Sequence, residues 1–154
     1  MALPVVTCRQ YSSSDYAACL RIFDANVPRF FRVEEQGGYA EFLANLPGPY
    51  LVLIDSPHTV VACGGYAVAE GSSVADLCWG MVDQEHHGRG LGHVLAELRI
   101  ERIRGDPGVA AIALNTSQHT VSFYERLGFR TIKVEPDGYA LGLHRHDMLM
   151  ELQR

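Results

Sequence analysis

Residues 82–92 read Val-Asp-Gln-Glu-His-His-Gly-Arg-Gly-Leu-Gly, and they constrain the chain more than any other stretch. An apolar run from Ala75 to Val82 reads as a strand and leads into them. A long amphipathic segment that reads as a helix leaves them. Gly88, Gly90 and Gly92 therefore fall at alternate positions where strand becomes helix. Glycine tolerates φ > 0 and lets a backbone approach a ligand closely. The first turn of a helix carries unpaired N–H groups and the positive end of the helix dipole. Such a turn suits an anion, most often a phosphate group. It serves equally as a tight connection with no ligand, and spacing alone leaves both readings open. It is not the dinucleotide fingerprint Gly-x-Gly-x-x-Gly, because position 93 is histidine and no acidic ribose ligand is evident. No Gly-Lys-Ser/Thr of a phosphate-binding P-loop occurs.

The flanking pattern places this turn in an α+β chain. Val5 to Tyr11 suggests an edge strand. Ser12 and Asp15 fit a capping box ahead of a helix whose apolar positions are Tyr16, Cys19, Leu20, Phe23 and Val27. Pro28 ends or kinks that helix. Arg29 to Leu46 reads as a second helical region interrupted by Gly37-Gly38. Pro47-Gly48-Pro49 breaks the chain. Three strands follow, Tyr50 to Ile54, Thr59 to Ala69 and Val74 to Val82, with spacers short enough for antiparallel pairing. Gly64-Gly65 would bend or bulge the second of them. Gly90 to Arg104 is helical, with Leu91, Val94, Leu95, Leu98 and Ile103 on one face and Glu97, Glu101, Arg102 and Arg104 largely off it. Val109 to Leu114 reads as a strand parallel to the one before the helix. A polar loop, Asn115 to His119, precedes a short helix, Thr120 to Leu127, closed by Gly128 with Phe129 behind it. Thr131 to Val134 and Met148 to Leu152 read as the last strands, joined by a polar linker from Glu135 to Asp147.

Composition narrows the function classes. The 154 residues suit a single domain, 1–154, with a core of its own. A formal net charge of −5 and scattered arginines (Arg29, Arg32, Arg99, Arg102, Arg104) argue against nucleic acid as the main partner. No apolar run approaches the roughly 20 residues of a membrane span. Met1-Ala2-Leu3-Pro4 lacks the regions of a signal peptide. Cys8, Cys19, Cys63 and Cys78 lie far apart with no Cys-x-x-Cys, and read as small buried residues of a reducing cytoplasm. His86-His87 and His144-Arg145-His146-Asp147 contain ligand types without the helical spacing of a zinc site, so no metal is expected.

The order strand, helix, helix, three-strand meander, glycine-rich turn, helix, strand, helix, strand, strand resembles the GNAT superfamily of acyl-CoA N-acyltransferases. Two motifs carry the resemblance. The family's Gln/Arg-x-x-Gly-x-Gly/Ala stands here as His87-Gly88-Arg89-Gly90-Leu91-Gly92. Its aromatic–Tyr–Glu–Lys/Arg–x–Gly–Phe segment stands as Phe123-Tyr124-Glu125-Arg126-Leu127-Gly128-Phe129. The element order spans nearly the whole chain, and the motif match runs from about Val82 to Phe129. There are two departures. His87 replaces the usual Gln or Arg at a position that contributes mainly a backbone N–H in the family. Ser117 stands seven residues before Tyr124, where many members have Asn.

The resemblance implies a mixed, largely antiparallel sheet between helical layers (a three-layer α-β-α arrangement), with one splayed parallel pair. It implies acetyl-CoA as donor and a primary amine as acceptor, with direct transfer in a ternary complex. The pyrophosphate would lie on the amides of His87, Gly88, Arg89, Gly90, Leu91 and Gly92. The N–H of Val82 would polarise the thioester carbonyl. Ser117 and Phe123 would lie along the cofactor, and serine in place of Asn weakens the case for a side-chain contact to its pantetheine arm. Tyr124 is the candidate general acid, since a phenol with an ordinary pKa near 10 can protonate a departing thiolate; its alternative role is packing its helix on the sheet. Candidates for a general base are Asp76, Glu85, His86 and His119. Asp76, a lone carboxylate within a strand, is preferred, and a substrate entering deprotonated would need none. No cysteine has a nucleophile's context; Cys78 reads as strand core. The acceptor pocket is expected from Arg29 to Tyr39, the meander turn and Tyr139 to His146. Arg29, Arg32 and His144 suit a carboxylate-bearing acceptor or plain surface roles. A small-molecule amine is favoured over a protein N-terminus or lysine. A non-catalytic acyl-CoA-binding module, and a homodimer by exchange of the last strand, remain open.

Overall fold

The computed structural model describes residues 6–55 and 57–153. Among these residues, seven strands and four α-helices follow one another as β1 (Thr7–Gln10), α1 (Tyr16–Ala25), α2 (Gln36–Ala44), β2 (Tyr50–Asp55), β3 (Thr59–Val68), β4 (Val74–Val82), α3 (Leu91–Arg104), β5 (Ala111–Ser117), α4 (Val121–Arg126), β6 (Arg130–Ala140) and β7 (Leu143–Glu151). The hydrogen-bonded strand order is β1-β2-β3-β4-β5-β7-β6. β1 with β2, β2 with β3, β5 with β7 and β6 with β7 pair antiparallel, whereas β4 with β5 is parallel, as a helical crossover requires. Two compact units are distinguished, 1–67 with 77–102, and 68–76 with 103–154.

The first unit has a helical layer on each face of its strands. On one face, Cys19, Ile22 and Phe23 of α1 and Tyr39 and Leu43 of α2 pack on Tyr50, Val52, Val60, Cys63 and Met81. On the other, Leu91 and Leu95 of α3 pack on Leu53, Val61 and Ala62. Strand alternation explains most of this division. It changes phase in β3, where Leu53 pairs with Ala62 but Ile54 pairs with Val60. Val61 is the extra residue of that bulge, so Val61 and Ala62 turn to the same face.

The bulge is therefore not at Gly64-Gly65, which pair regularly with Leu51 and Tyr50. Those glycines instead make room for neighbouring side chains. A Cβ on Gly65 would stand 2.7 Å from Tyr50 Cδ1, and one on Gly64 would stand 3.2 Å from Arg99 Cζ. Arg99 is only 2% exposed, on the face of α3 that packs inward. Its guanidinium lies in a slot between Gly64 and Gly80, and donates to the carbonyls of Gly65 (3.3 Å) and Leu95 (3.4 Å). The apolar stripe read along α3 holds at Leu91, Leu95 and Ile103, which are buried with Ala96 and Ile100.

In the second unit, β5 is covered by apolar side chains that alternate with β7. Ile112 faces Met150 and Leu114 faces Met148, and all four are buried together with Phe129. Gly128 closes α4 at φ +109, a left-handed conformation that other residues rarely adopt. The polar linker expected from Glu135 to Asp147 is instead the body of a long β6–β7 hairpin, with Gly142 at φ +77 in its turn. Its strands are exposed on β6, so they lack the apolar alternation that identifies a strand in sequence. Likewise β5 continues through Asn115 to Ser117, paired to Asp147, His146 and Arg145. The second helical region resolves into turns over residues 26–30, a bend at Phe31, a 3-10 turn at Val33–Glu35 and α2.

Asp15 realises half of the expected capping box, accepting from Ser12 N at 2.9 Å. It also takes both guanidinium nitrogens of Arg9, at 2.7 and 2.8 Å. The Arg9 hydrogen bonds outweigh burial and hold the Asp15 carboxyl below the ordinary carboxylate range. A carboxyl with a depressed folded-state pKa stabilises the fold above its unfolded value and loses that contribution as pH falls through the folded value. Asp15→Asn is expected to destabilise the protein at pH 7 and to narrow that deficit between about pH 5 and pH 2. Urea unfolding of both proteins across that range measures the difference; a constant gap would contradict the assignment.

Candidate functional site

The glycine-rich turn lies in the first unit and is built outward from Val82. The Val82 carbonyl accepts from Asn26 Nδ2 at 2.9 Å and from the His87 ring at 2.8 Å. A carbonyl can only accept, so His87 Nε2 carries the proton in this contact. Asn26 is 3% exposed and gives its second amide hydrogen to Ile22 O at 2.8 Å. One side chain thus ties the end of α1 to the point where β4 stops. The next residue, Asp83, is 8% exposed and donates its backbone N–H to Val61 O at 2.8 Å. Its carboxylate accepts from Glu85 N at 3.4 Å at the start of a 3-10 turn, Gln84–His86.

Gly88 and Gly90 adopt φ +82 and +79. A Cβ on either would meet nothing within 4 Å. Conformation, not crowding, requires glycine here, and the space beside the turn is open. Gly90 O accepts the first bond of α3, from Val94 N at 3.1 Å. The N–H groups of Leu91, Gly92 and His93 consequently begin the helix without carbonyl partners in a preceding turn. Arg89 is held to Asp55 at 3.3 Å. Phe30 meets the His87 ring edge-on at 5.7 Å, with the Arg29 guanidinium 5.2 Å over Phe30.

The second motif lies in the second unit. Ser117, 6% exposed, ends β5, and its hydroxyl accepts from His119 N at 3.4 Å. Thr120 N returns to Ser117 O at 3.2 Å and Tyr124 N to Thr120 O at 3.2 Å, which starts α4. The Tyr124 ring is half-buried, edge-on to Phe123 at 5.0 Å and to Phe129 at 5.8 Å. Its backbone carbonyl accepts from Leu127 N and Phe129 N, which fixes the helix end behind it. Among the described residues, none hydrogen-bonds its hydroxyl.

The base candidates fall in different surroundings. Asp76 is exposed on β4 and sits opposite Ala113 of β5 in the parallel pair. Glu85 and His119 are exposed. His86 is half-buried with Nδ1 3.6 Å from Asp83, too long for a hydrogen bond, and that nitrogen is buried without a partner. The proposed carboxylate binders are engaged locally: Arg29 over Phe30, Arg32 with Glu34 at 3.5 Å, and His144 accepting from Asp137 N at 3.0 Å. Cys78 is half-buried, less enclosed than a core residue. Among the described residues no three metal-ligating side chains converge, and no helix is long and apolar enough to cross a membrane.

Sequence reasoning did not single out Asn26, Tyr39, Tyr50 or Asn115. Asn115 accepts from Tyr139 Oη across the β5–β6–β7 region. None of these belongs to a motif, and each acts through a contact with residues distant in sequence.

Residues 34–152 match the family described as the acetyltransferase (GNAT) domain. The chain belongs to the GNAT acetyltransferase family. A comparison with curated protein sequences gives no match. Solved structures share the fold at low identity. The ribosomal-protein-S18-alanine N-acetyltransferase from Escherichia coli superimposes with a TM-score of 0.80 at 19% identity, covering 97% of this chain and 96% of that one. An aminoglycoside 6'-N-acetyltransferase complexed with coenzyme A gives 0.78 at 14%, covering 96% and 98%. The yncA protein of Salmonella typhimurium with its cofactor acetyl-CoA gives 0.73 at 17%, covering 97% and 95%.

Asn26→Ala removes both amide bonds of a buried side chain. It is expected to lower stability by about 1–3 kcal/mol, because Val82 O keeps only His87 and Ile22 O loses a side-chain donor. A reduced urea midpoint with unchanged slope would confirm this; a shift under about 0.5 kcal/mol would show that the bridge is dispensable.

Proposed function

We propose that the chain transfers an acetyl group from acetyl-CoA to the primary amine of a small molecule, directly and without a covalent enzyme intermediate. The observation that carries this reading is the open, left-handed glycine turn at the N-terminus of α3 in a chain of the GNAT family. Similar folds solved with coenzyme A or acetyl-CoA support the choice of donor.

In this reading the amides from His87 to Gly92 receive the pyrophosphate, where the helix dipole and unpaired N–H groups favour negative charge. The glycines matter through their backbone. His87 serves by its ring bond to Val82 O, which orients the peptide that leaves β4. Val82 N–H polarises the thioester carbonyl. Ser117 and Phe123 line the cofactor's path, Ser117 through its backbone since its hydroxyl is turned into its own turn.

The chemistry is one displacement. The amine nitrogen forms a bond to the acetyl carbon and the carbon–sulfur bond breaks. Tyr124 gives its phenolic proton to the departing thiolate, and the nitrogen's surplus proton passes to Asp76 or to water. A tyrosine hydroxyl with no hydrogen-bond partner among the described residues suits that donation. The local engagement of Arg29, Arg32 and His144 argues for an acceptor chosen by something other than a carboxylate clamp.

Tyr124→Phe is expected to lower kcat about a hundredfold or more while leaving the acetyl-CoA Kd unchanged. Thiol release with a panel of small amines and peptide N-termini provides the assay. An intact kcat across pH would remove Tyr124 from the acid role. Tight acetyl-CoA binding with no CoA released to any amine would favour a binding module. Preference for peptides over every small amine would favour the protein-acetylating alternative.

A further inference from the structure

The chain has one tryptophan, Trp79, and it occupies a backbone conformation that bulky residues avoid. It lies within β4 at φ +43. A residue in that region costs roughly 1–3 kcal/mol and persists only where its surroundings enforce it. The enforcing contacts are all in the first unit. The Trp79 carbonyl accepts from Tyr50 Oη at 2.8 Å. Tyr50 belongs to β2, and β3 lies between β2 and β4 in the strand order. The phenol crosses β3 because Gly65 has no side chain there; a Cβ would stand 2.7 Å from Tyr50 Cδ1.

Behind Tyr50 stands a second phenol. Tyr39 Oη of α2 is 2.8 Å from Tyr50 Oη. Tyr50 gives its own proton to Trp79 O, so Tyr39 must be the donor between the two. Cys63 Sγ, 3.4 Å from Tyr39 Oη, then donates to Tyr39. All three side chains belong to fully buried residues. Burial raises both phenols' pKa, so Tyr39 and Tyr50 keep their protons at any working pH. The indole is packed at 5.0 Å from Tyr39, 5.8 Å from Phe31, 6.2 Å from Phe42 and 6.4 Å from Phe23.

The strand end beyond Trp79 is clamped as well, at Val82 O, by Asn26 and His87. Only Gly80 and Met81 separate the two clamped residues. Side chains from outside β4 thus fix both ends of the segment that leads into the glycine-rich turn.

We propose that Tyr50, backed by Tyr39, is a positioning residue: its hydroxyl holds the Trp79 carbonyl in place and so aims the backbone from Gly80 to Val82. This rests on the reading that Val82 N–H receives the thioester carbonyl. A buried tyrosine hydroxyl needs some acceptor in any protein. What distinguishes a positioning role is that the acceptor is the strained peptide itself, three residues before the group that acts. Preorganised donors of this kind stabilise charge developing in a transition state and add little to ground-state binding.

Tyr50→Phe deletes the clamp and keeps the ring. Without ligand, the near-ultraviolet circular dichroism and emission of Trp79, the only indole, are expected to change. With acetyl-CoA, Kd should stay within about twofold, because the glycine turn still holds the pyrophosphate, while kcat should fall at least about tenfold. The shape of the kcat–pH profile should not move. Tyr39→Phe leaves the Tyr50–Trp79 bond in place and should give a smaller change in both signals. It also carries the comparison should Tyr50→Phe fail to fold. Unchanged Trp79 spectra would overturn the proposal, and so would a lowered Tm with kcat intact, the outcome of a purely structural tyrosine. If the wild-type protein transfers no acetyl group, the function reading fails, yet the Trp79 spectra still decide whether the clamp exists.

Discussion

The bridge made by Asn26 is the contact on which the glycine-rich turn depends. Its amide spans Ile22 O at the end of α1 and Val82 O at the end of β4. One buried side chain thus donates to a carbonyl of a helix end and to one of a strand end. His87 adds a second donor to Val82 O from the far side of the turn. With that peptide fixed, the chain can spend left-handed conformations at Gly88 and Gly90 and enter α3 with its first amides free for an anion. The net charge of −5 is no obstacle. Backbone amides and a helix dipole bind phosphate locally and need no basic surface.

Much of this was legible in sequence where local rules and tertiary structure agree. The glycine turn, the stripe on α3 and the Gly128 helix stop were visible because each residue's role is set by its near neighbours. The second motif gained its meaning only from its distance to the first. Of the β6–β7 hairpin, only the ends at Thr131 to Val134 and Met148 to Leu152 were legible. β6 is exposed, and Asp137 and Gly138 within it read as loop residues. The pairing that makes β6 a strand comes from β7, which is itself held by β5. Gly64-Gly65 was misread for a related reason. A glycine pair in a strand signals a bulge or a close approach equally, and the answer lay with Tyr50 and Arg99, far along the chain.

The site followed the same division. His87 looked like a tolerated substitution at a position defined by its backbone. Its ring also donates to Val82 O, a contact that a motif comparison cannot reveal. Ser117 turns its hydroxyl into the β5–α4 turn. Buried polar side chains carry most of what sequence reasoning missed. Asn26, Tyr39 and Tyr50 each look like ordinary helix or strand residues until their partners are known, and each serves a backbone carbonyl of β4 directly or through one intermediate.

The central claim is that the turn from His87 to Gly92 is a pyrophosphate site. Calorimetric titration of 4'-phosphopantetheine against pantetheine, which differ only in the phosphate next to the pantetheine arm, tests it most directly. Charge-assisted hydrogen bonds to a phosphate are worth about 1.5–3 kcal/mol each, so the account predicts phosphopantetheine binding at least about tenfold more tightly. Equal affinities for the two ligands would contradict it.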